Sequence, residues 1–138
     1  MPNKDVRWIQ RFNNYKKALG LLKEAVIEYQ EGDMSSLEIE GMVQRFEYSY
    51  ELGWNTIKDY YEDQGEVNIQ GSKDAIQLAF SRGLISNGKI WFSMVDSRKL
   101  TSHTYNEDTA NRVAGEISED YINMFIELET RLEVERQS

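Results

Sequence analysis

The chain is predicted to fold as an all-α protein, an antiparallel up-and-down bundle of three long and two short helices. Three observations predict this. Apolar residues return at three- and four-residue steps over most of the 138-residue length, the pattern of helices that bury one face. The one proline is Pro2, so no internal position is closed to helix by a pyrrolidine ring. No stretch keeps the apolar–polar alternation of a half-buried strand. No repeat or low-complexity tract divides the chain, and residues 1–138 are expected to form one domain large enough to bury a proper core.

The first long helix is expected from about Asp5 to Gln30, with Ile9, Phe12, Leu19, Leu22, Val26 and Tyr29 on its buried face. Glu31-Gly32-Asp33 ends it, with Gly32 suited to a left-handed cap. Ser35 or Ser36 can cap a second helix that runs to about Asp63 on the stripe Ile39, Val43, Phe46, Tyr50, Trp54, Ile57 and Tyr61. Tyr50 and Trp54 are read as core. Gly41 and Gly53 lower helix propensity within it and are expected to mark close approaches of a neighbouring backbone. After the Gln64-Gly65 stop, residues 66–71 form an irregular linker.

Ser72 is expected to cap a shorter helix from Lys73 to Arg82, with Ile76, Leu78, Ala79 and Phe80 apolar and Gly83 just past its end. Ser86-Asn87-Gly88 is a turn. A second short helix follows, burying Ile90, Trp91, Met94 and Val95. Asn106-Glu107-Asp108 opens the last long helix, which runs to about Glu135 on Val113, Ile117, Tyr121, Phe125, Leu128 and Leu132. Ile122 and Ile126, with Phe125, widen its apolar face beyond one stripe, and this predicts a homodimer surface.

Sixteen basic residues face 24 acidic ones, a net charge of −8 that repels nucleic acid and anionic membranes taken as a whole. The exception lies between Ser72 and His103, where Lys73, Arg82, Lys89, Arg98 and Lys99 outnumber Asp74 and Asp96. A polyanion would be met there. Cysteine is absent, which excludes disulfides, thiol catalysis and cysteine-held metals and fits a reducing cytoplasm. The N-terminal residues lead into no apolar signal core, and no run reaches membrane-spanning length, so a cytoplasmic protein is expected.

The chemistry-bearing stretch is Asp96-Ser97-Arg98-Lys99-Leu100-Thr101-Ser102-His103-Thr104-Tyr105, which holds the single histidine. Arg98 and His103 would stand about 140° apart around a continuous helix. Their convergence within one chain therefore predicts a bend at Thr101-Ser102, where hydroxyls compete for backbone partners. Glu47 and Glu51, one turn apart on the second helix beside Arg45 and Lys58, offer a polar wall to orient Arg98 or His103. No glutamate stands three positions before His103, so a di-metal bundle site is excluded, and the glycines have no phosphate-loop spacing. No metal and no cofactor are expected. A histidine that titrates near neutrality can move protons to and from ribose and phosphate-ester oxygens, and an arginine can grip a phosphate. Acid and base together need two histidines, which two chains about a two-fold axis would supply.

Arg98 to Tyr105 reads R-x4-H-x-Y and resembles the signature of HEPN-domain proteins of the HepT toxin type. The stretches Arg45 to Trp54, Lys58-Asp59-Tyr60 and Ile90 through Tyr105 resemble the branch of nucleotidyltransferase substrate-binding proteins, and the likeness covers roughly Phe12 to Leu132. The resemblance implies a HEPN-like up-down bundle that dimerises, with Arg98 and His103 of both chains in one cleft. It also implies a minimal nucleotidyltransferase (MNT) as genomic and physical partner. In toxin–antitoxin versions the HEPN protein is a metal-independent endoribonuclease, silenced when the transferase attaches AMP to the motif tyrosine, here Tyr105. Arg98 and His103 would be catalytic, with Glu47, Glu51 and Lys99 supporting. Lys99 is a departure, since many HEPN ribonucleases carry Asn or Asp directly after the motif arginine. The alternative is a non-catalytic substrate-binding subunit of the transferase, which the acidic surface suits.

Overall fold

A computed structural model describes residues 7–138; the expected helix start at Asp5 lies outside the described residues. All regular elements among them are helical: α1 (Arg7–Glu31), α2 (Ser36–Asp63), α3 (Ser72–Ser81), α4 (Gly88–His103), α5 (Glu107–Glu116) and α6 (Ile122–Gln137). A five-residue π-helical turn, Ile117–Tyr121, joins α5 to α6 without a break, so the two form one long rod. The predicted all-α, up-and-down bundle is therefore the observed one.

Local chemistry sets the helix ends. Gly32 takes φ +91°, which only glycine adopts cheaply, and its N–H closes α1 onto the Tyr29 carbonyl at 3.1 Å. Ser35 and Glu38 then form a capping box at the start of α2: the Ser35 hydroxyl accepts from the Glu38 N–H, and the Glu38 carboxylate accepts from the Ser35 N–H. At α3 the expected Ser72 cap is replaced by Gly71, which makes no side-chain cap, and Ser72 is the first helical residue. Asn87 caps α4 and Asn106 caps α5, each through a side-chain oxygen that accepts an N–H three residues on.

Cross-links fix the directions. Tyr15 donates to the Phe125 carbonyl at 2.7 Å, Lys16 meets Glu133, and Lys23 meets Glu129. From Lys16–Glu133 through Lys23–Glu129 to Gln30–Ser118, positions rise along α1 as they fall along the α5–α6 rod, so the two run antiparallel. Ser36 meets Glu107 at one end, and Tyr60 meets Glu135 at the other, so α2 runs parallel to the α5–α6 rod. The core is an aromatic cluster in which Phe46 stacks on Tyr121 (5.3 Å between centroids), while Trp91 and Tyr15 pack edge-on to Phe125.

Several sequence expectations need correction. Ile122 and Phe125 are buried in the chain's own core and Ile126 is partly buried against it, so they do not form an exposed dimer face. The π turn explains this. Val113, Ile117, Tyr121 and Phe125 recur every four residues, which drifts about 40° per step around a regular α-helix. The wider turn absorbs that drift and keeps them inward. Trp54 is only partly buried, its ring nitrogen donating to Glu51 at 3.0 Å. Phe80 is exposed, one face of its ring lying over Gly88. Gly53 does mark a close approach, by the Tyr15 ring rather than by backbone, whereas Gly41 has open space beside it.

Candidate functional site

The bend expected at Thr101-Ser102 does not occur: α4 continues through both residues to His103. The hydroxyls explain why. Ser102 donates back to the Arg98 carbonyl at 3.0 Å, and the Thr101 hydroxyl, 3.2 Å from the same carbonyl, gives its proton to Glu47 on α2, so neither hydroxyl needs the helix to open. The chain turns one residue later, where Thr104 is extended. Arg98 and His103 thus project about 140° apart around one continuous helix, and a single chain does not bring them together.

Arg98 faces α2. Its Nη1 lies 3.5 Å from Glu47 Oε2 and also donates to the Ser102 hydroxyl; its Nε lies 3.4 Å from Glu51 Oε2. The approach of Glu51 makes an ion pair but no hydrogen bond, which leaves Nε a buried donor held by charge alone. Glu47 is shared, because the buried Thr101 hydroxyl donates to the same Oε2 at 2.5 Å. Both supporting carboxylates therefore meet the arginine, as the polar-wall expectation had it, and neither meets His103. The expected neighbours are engaged elsewhere: Arg45 reaches the Leu21 carbonyl at 2.8 Å, and Lys58 pairs with Glu62.

His103 is the exposed last residue of α4, at the helix end whose carbonyls favour a cation. Lys99 is exposed as well. Tyr105 follows in the α4–α5 connection, 43% exposed, and lines a 330 Å³ groove with residues of α2 and α5. Partial burial raises its hydroxyl pKa, and the carboxylates of Glu40 and Glu47 add to the effect, so the phenol stays protonated at neutral pH.

One part of the site carries no motif. The Ser97 and Tyr121 hydroxyls lie 2.7 Å apart, and both reach Glu116, at 3.2 and 3.4 Å. This buried knot sits one residue before Arg98. Ser97 looks ordinary in sequence; the only signal was a polar residue one helical turn after Met94 on the buried side of α4. Among the described residues, no group of three His, Cys, Asp or Glu side chains is placed to hold a metal ion, and no helix is long and apolar enough to cross a membrane.

Residues 10–134 match the family described as nucleotidyltransferase substrate binding protein like. The chain belongs to this family. Over 95 residues it is 32% identical to a Haemophilus influenzae strain Rd protein named Probable ribonuclease HepT, a match spanning 66% of this chain and 65% of that relative. A Thermus thermophilus crystal structure superposes with a TM-score of 0.76 at 32% identity, covering 86% of this chain and 98% of the other. A Haemophilus influenzae structure, described as the fold of a substrate binding domain of a nucleotidyltransferase, gives 0.76 at 27% identity, covering 88% and 98%. A chain of a MntA–HepT toxin–antitoxin structure shares the fold, with a TM-score of 0.71 at 13% identity over 92% of this chain and 98% of that one. The HepT-like branch inferred from R-x4-H-x-Y is thereby borne out for this member of the nucleotidyltransferase substrate-binding family.

Proposed function

We propose that the chain is the HEPN partner of a minimal nucleotidyltransferase, and that two copies form a metal-independent endoribonuclease silenced by nucleotidylation of Tyr105. The observation that carries this reading is the layout of R-x4-H-x-Y at the end of α4. His103 and Tyr105 reach solvent, and Arg98 lies half-buried on another face of the same helix. Since one chain keeps arginine and histidine apart, a working site needs a second copy to bring another His103 and Arg98 alongside.

In the reaction, His103 of one copy takes the proton of a ribose 2′-hydroxyl as its oxygen attacks the adjacent phosphorus. The bond from phosphorus to the 5′ oxygen breaks, and protonated His103 of the other copy returns a proton to that leaving oxygen. The products are a 2′,3′-cyclic phosphate and a free 5′-hydroxyl. Arg98 stabilises the charge that develops on the phosphoryl oxygens. Silencing joins the Tyr105 oxygen to the α-phosphorus of a nucleoside triphosphate; pyrophosphate leaves, and the phenolic proton passes to a base on the transferase. The added phosphate, two residues from His103, would repel an RNA backbone.

The test is purified, unmodified protein against RNA in EDTA. Cleavage by the wild type, lost in both Arg98→Ala and His103→Ala, is the expected result. No cleavage by wild type whose Tyr105 is bare by mass spectrometry would overturn the ribonuclease. A second reading has its own support: Arg98 is already occupied by Glu47, Glu51 and Ser102. An arginine so engaged suits a non-catalytic subunit that presents substrate to the transferase. In that case transferase activity would survive His103→Ala undiminished.

A further inference from the structure

The groove beside Tyr105 differs in character from the Arg98 face. Its walls are the first turns of α2 and α5: Leu37, Ile39 and Glu40 on one side, Glu107 and Ala110 on the other, with Tyr105 at its edge. Leu37 is 76% exposed and Tyr105 43%, so two large side chains sit in water at the mouth of an apolar slot. The slot is rigidly built. The capping box fixes the start of α2, Asn106 fixes the start of α5, and the Ser36 hydroxyl ties the two ends together by donating to Glu107 at 2.5 Å.

Charge selects the occupant. Glu40 and Glu107 line the groove, no basic residue does, and Glu38 and Asp108 stand beside those that do. An RNA backbone would be repelled. A protein carrying an apolar side chain flanked by Lys or Arg would be steered in and would find a preorganised slot. The proposed reaction adds a constraint: whatever modifies Tyr105 must place its active site at that hydroxyl, on the rim of this groove.

We infer that this groove is the docking site of the nucleotidyltransferase, which inserts an apolar side chain between Leu37 and Ala110 and sets basic residues against Glu40 and Glu107. The inference rests on the proposed partnership and deepens it by locating the contact. Docking here would hold Tyr105 in register for modification and leave Arg98, on the α2-facing side of α4, untouched.

The experiment titrates the purified minimal nucleotidyltransferase of the proposed pair against full-length wild type, Leu37→Lys and Glu40→Gln. Leu37→Lys is expected to weaken binding at least about tenfold, with a matching loss of Tyr105 modification. Glu40→Gln is expected to weaken it less and to flatten its salt dependence. Leu37 is exposed and outside the proposed catalytic groups, so Leu37→Lys keeps wild-type RNA cleavage and thermal stability. Wild-type affinity in Leu37→Lys, beside a wild type that does bind, would overturn the groove while leaving the partnership standing. Loss of self-association in Leu37→Lys with transferase binding intact would give the groove to a second copy and overturn the inference. No binding by the wild type would sink the partnership, and the docking site with it.

Discussion

Ser97 and Tyr121 join α4 to the π turn through a 2.7 Å hydrogen bond between their hydroxyls, in a pocket that solvent hardly reaches. Tyr121 also stacks on Phe46. Ser97 is the residue before Arg98, and Phe46 is the residue before Glu47. One side chain therefore braces both helices whose next residues form the Arg98–Glu47 ion pair.

Tyr121→Phe keeps the ring on Phe46 but removes the hydroxyl, leaving Ser97 only its 3.2 Å bond to Glu116. The expected loss is about 0.5–1.5 kcal/mol of stability, the net worth of one hydrogen bond whose partners still have each other. Tyr121 touches no substrate in the proposed reaction, so it is a positioning residue. Its removal should lower kcat for RNA with KM little changed and should shift the side-chain NMR resonance of Arg98 Nε. A purely structural role would lower the melting temperature and leave that resonance where it was.

The shared carboxylate of Glu47 gives a second prediction. Glu47→Gln keeps an oxygen for the Thr101 hydroxyl and removes one of the two carboxylate charges that occupy Arg98, leaving that of Glu51. Freed of that competitor, Arg98 should bind a short oligonucleotide several-fold more tightly, with a steeper salt dependence. Unchanged affinity in Glu47→Gln would mean that Arg98 holds the bundle together and does not meet phosphate.

The fold was legible because helix periodicity, caps and stop signals agreed with one another from Phe12 to Leu132. The helix boundaries followed from Ser35, Gly32 and Gly83, whose local chemistry decides them. The site was legible as a list of residues but not as a shape. Thr101 and Ser102 look like a bend in sequence, and only the Thr101 bond to Glu47 and the Ser102 bond to the Arg98 carbonyl reveal that they sit comfortably within a helix. Likewise, the apolar width around Ile122 and Phe125 read as a second surface. The four-residue spacing from Val113 to Phe125 was the available clue that a π turn would gather those residues into one core.

Two glycines of α2 should respond to alanine with opposite signs. A Cβ on Gly53 would stand 3.1 Å from Cε1 of Tyr15. That ring cannot easily yield, because its hydroxyl is tied to the Phe125 carbonyl and it is fully buried. Gly53→Ala should cost about 1–3 kcal/mol, as overpacking does. Gly41 has nothing within 4 Å of the same position. Gly41→Ala should add about 0.5–1 kcal/mol by raising helix propensity. Urea denaturation of the two variants checks both signs.

Alkaline stability should fall in a defined window. Burial pushes the Tyr61 hydroxyl from 10.0 up to about 12, with nearby Arg82 opposing and Glu135 and Glu66 reinforcing the shift. Burial likewise raises Tyr121 to about 12 and holds Tyr15 well above its ordinary value. Each folded-state value lies above the unfolded one, so the contribution is complete below pH 10. Above that, the unfolded chain releases protons that the folded chain keeps, and stability drops until the folded-state values are passed. Each such tyrosine steepens the decline by up to about 1.4 kcal/mol per pH unit. Tyr61 makes the cleanest probe, because its ring lies under Arg82 and would still pack as phenylalanine. Tyr61→Phe should match wild type at pH 8 to within the lost hydroxyl and fall less steeply between pH 10 and 12. Parallel curves for the two proteins across that range would show that Tyr61 ionises as freely when folded as when unfolded.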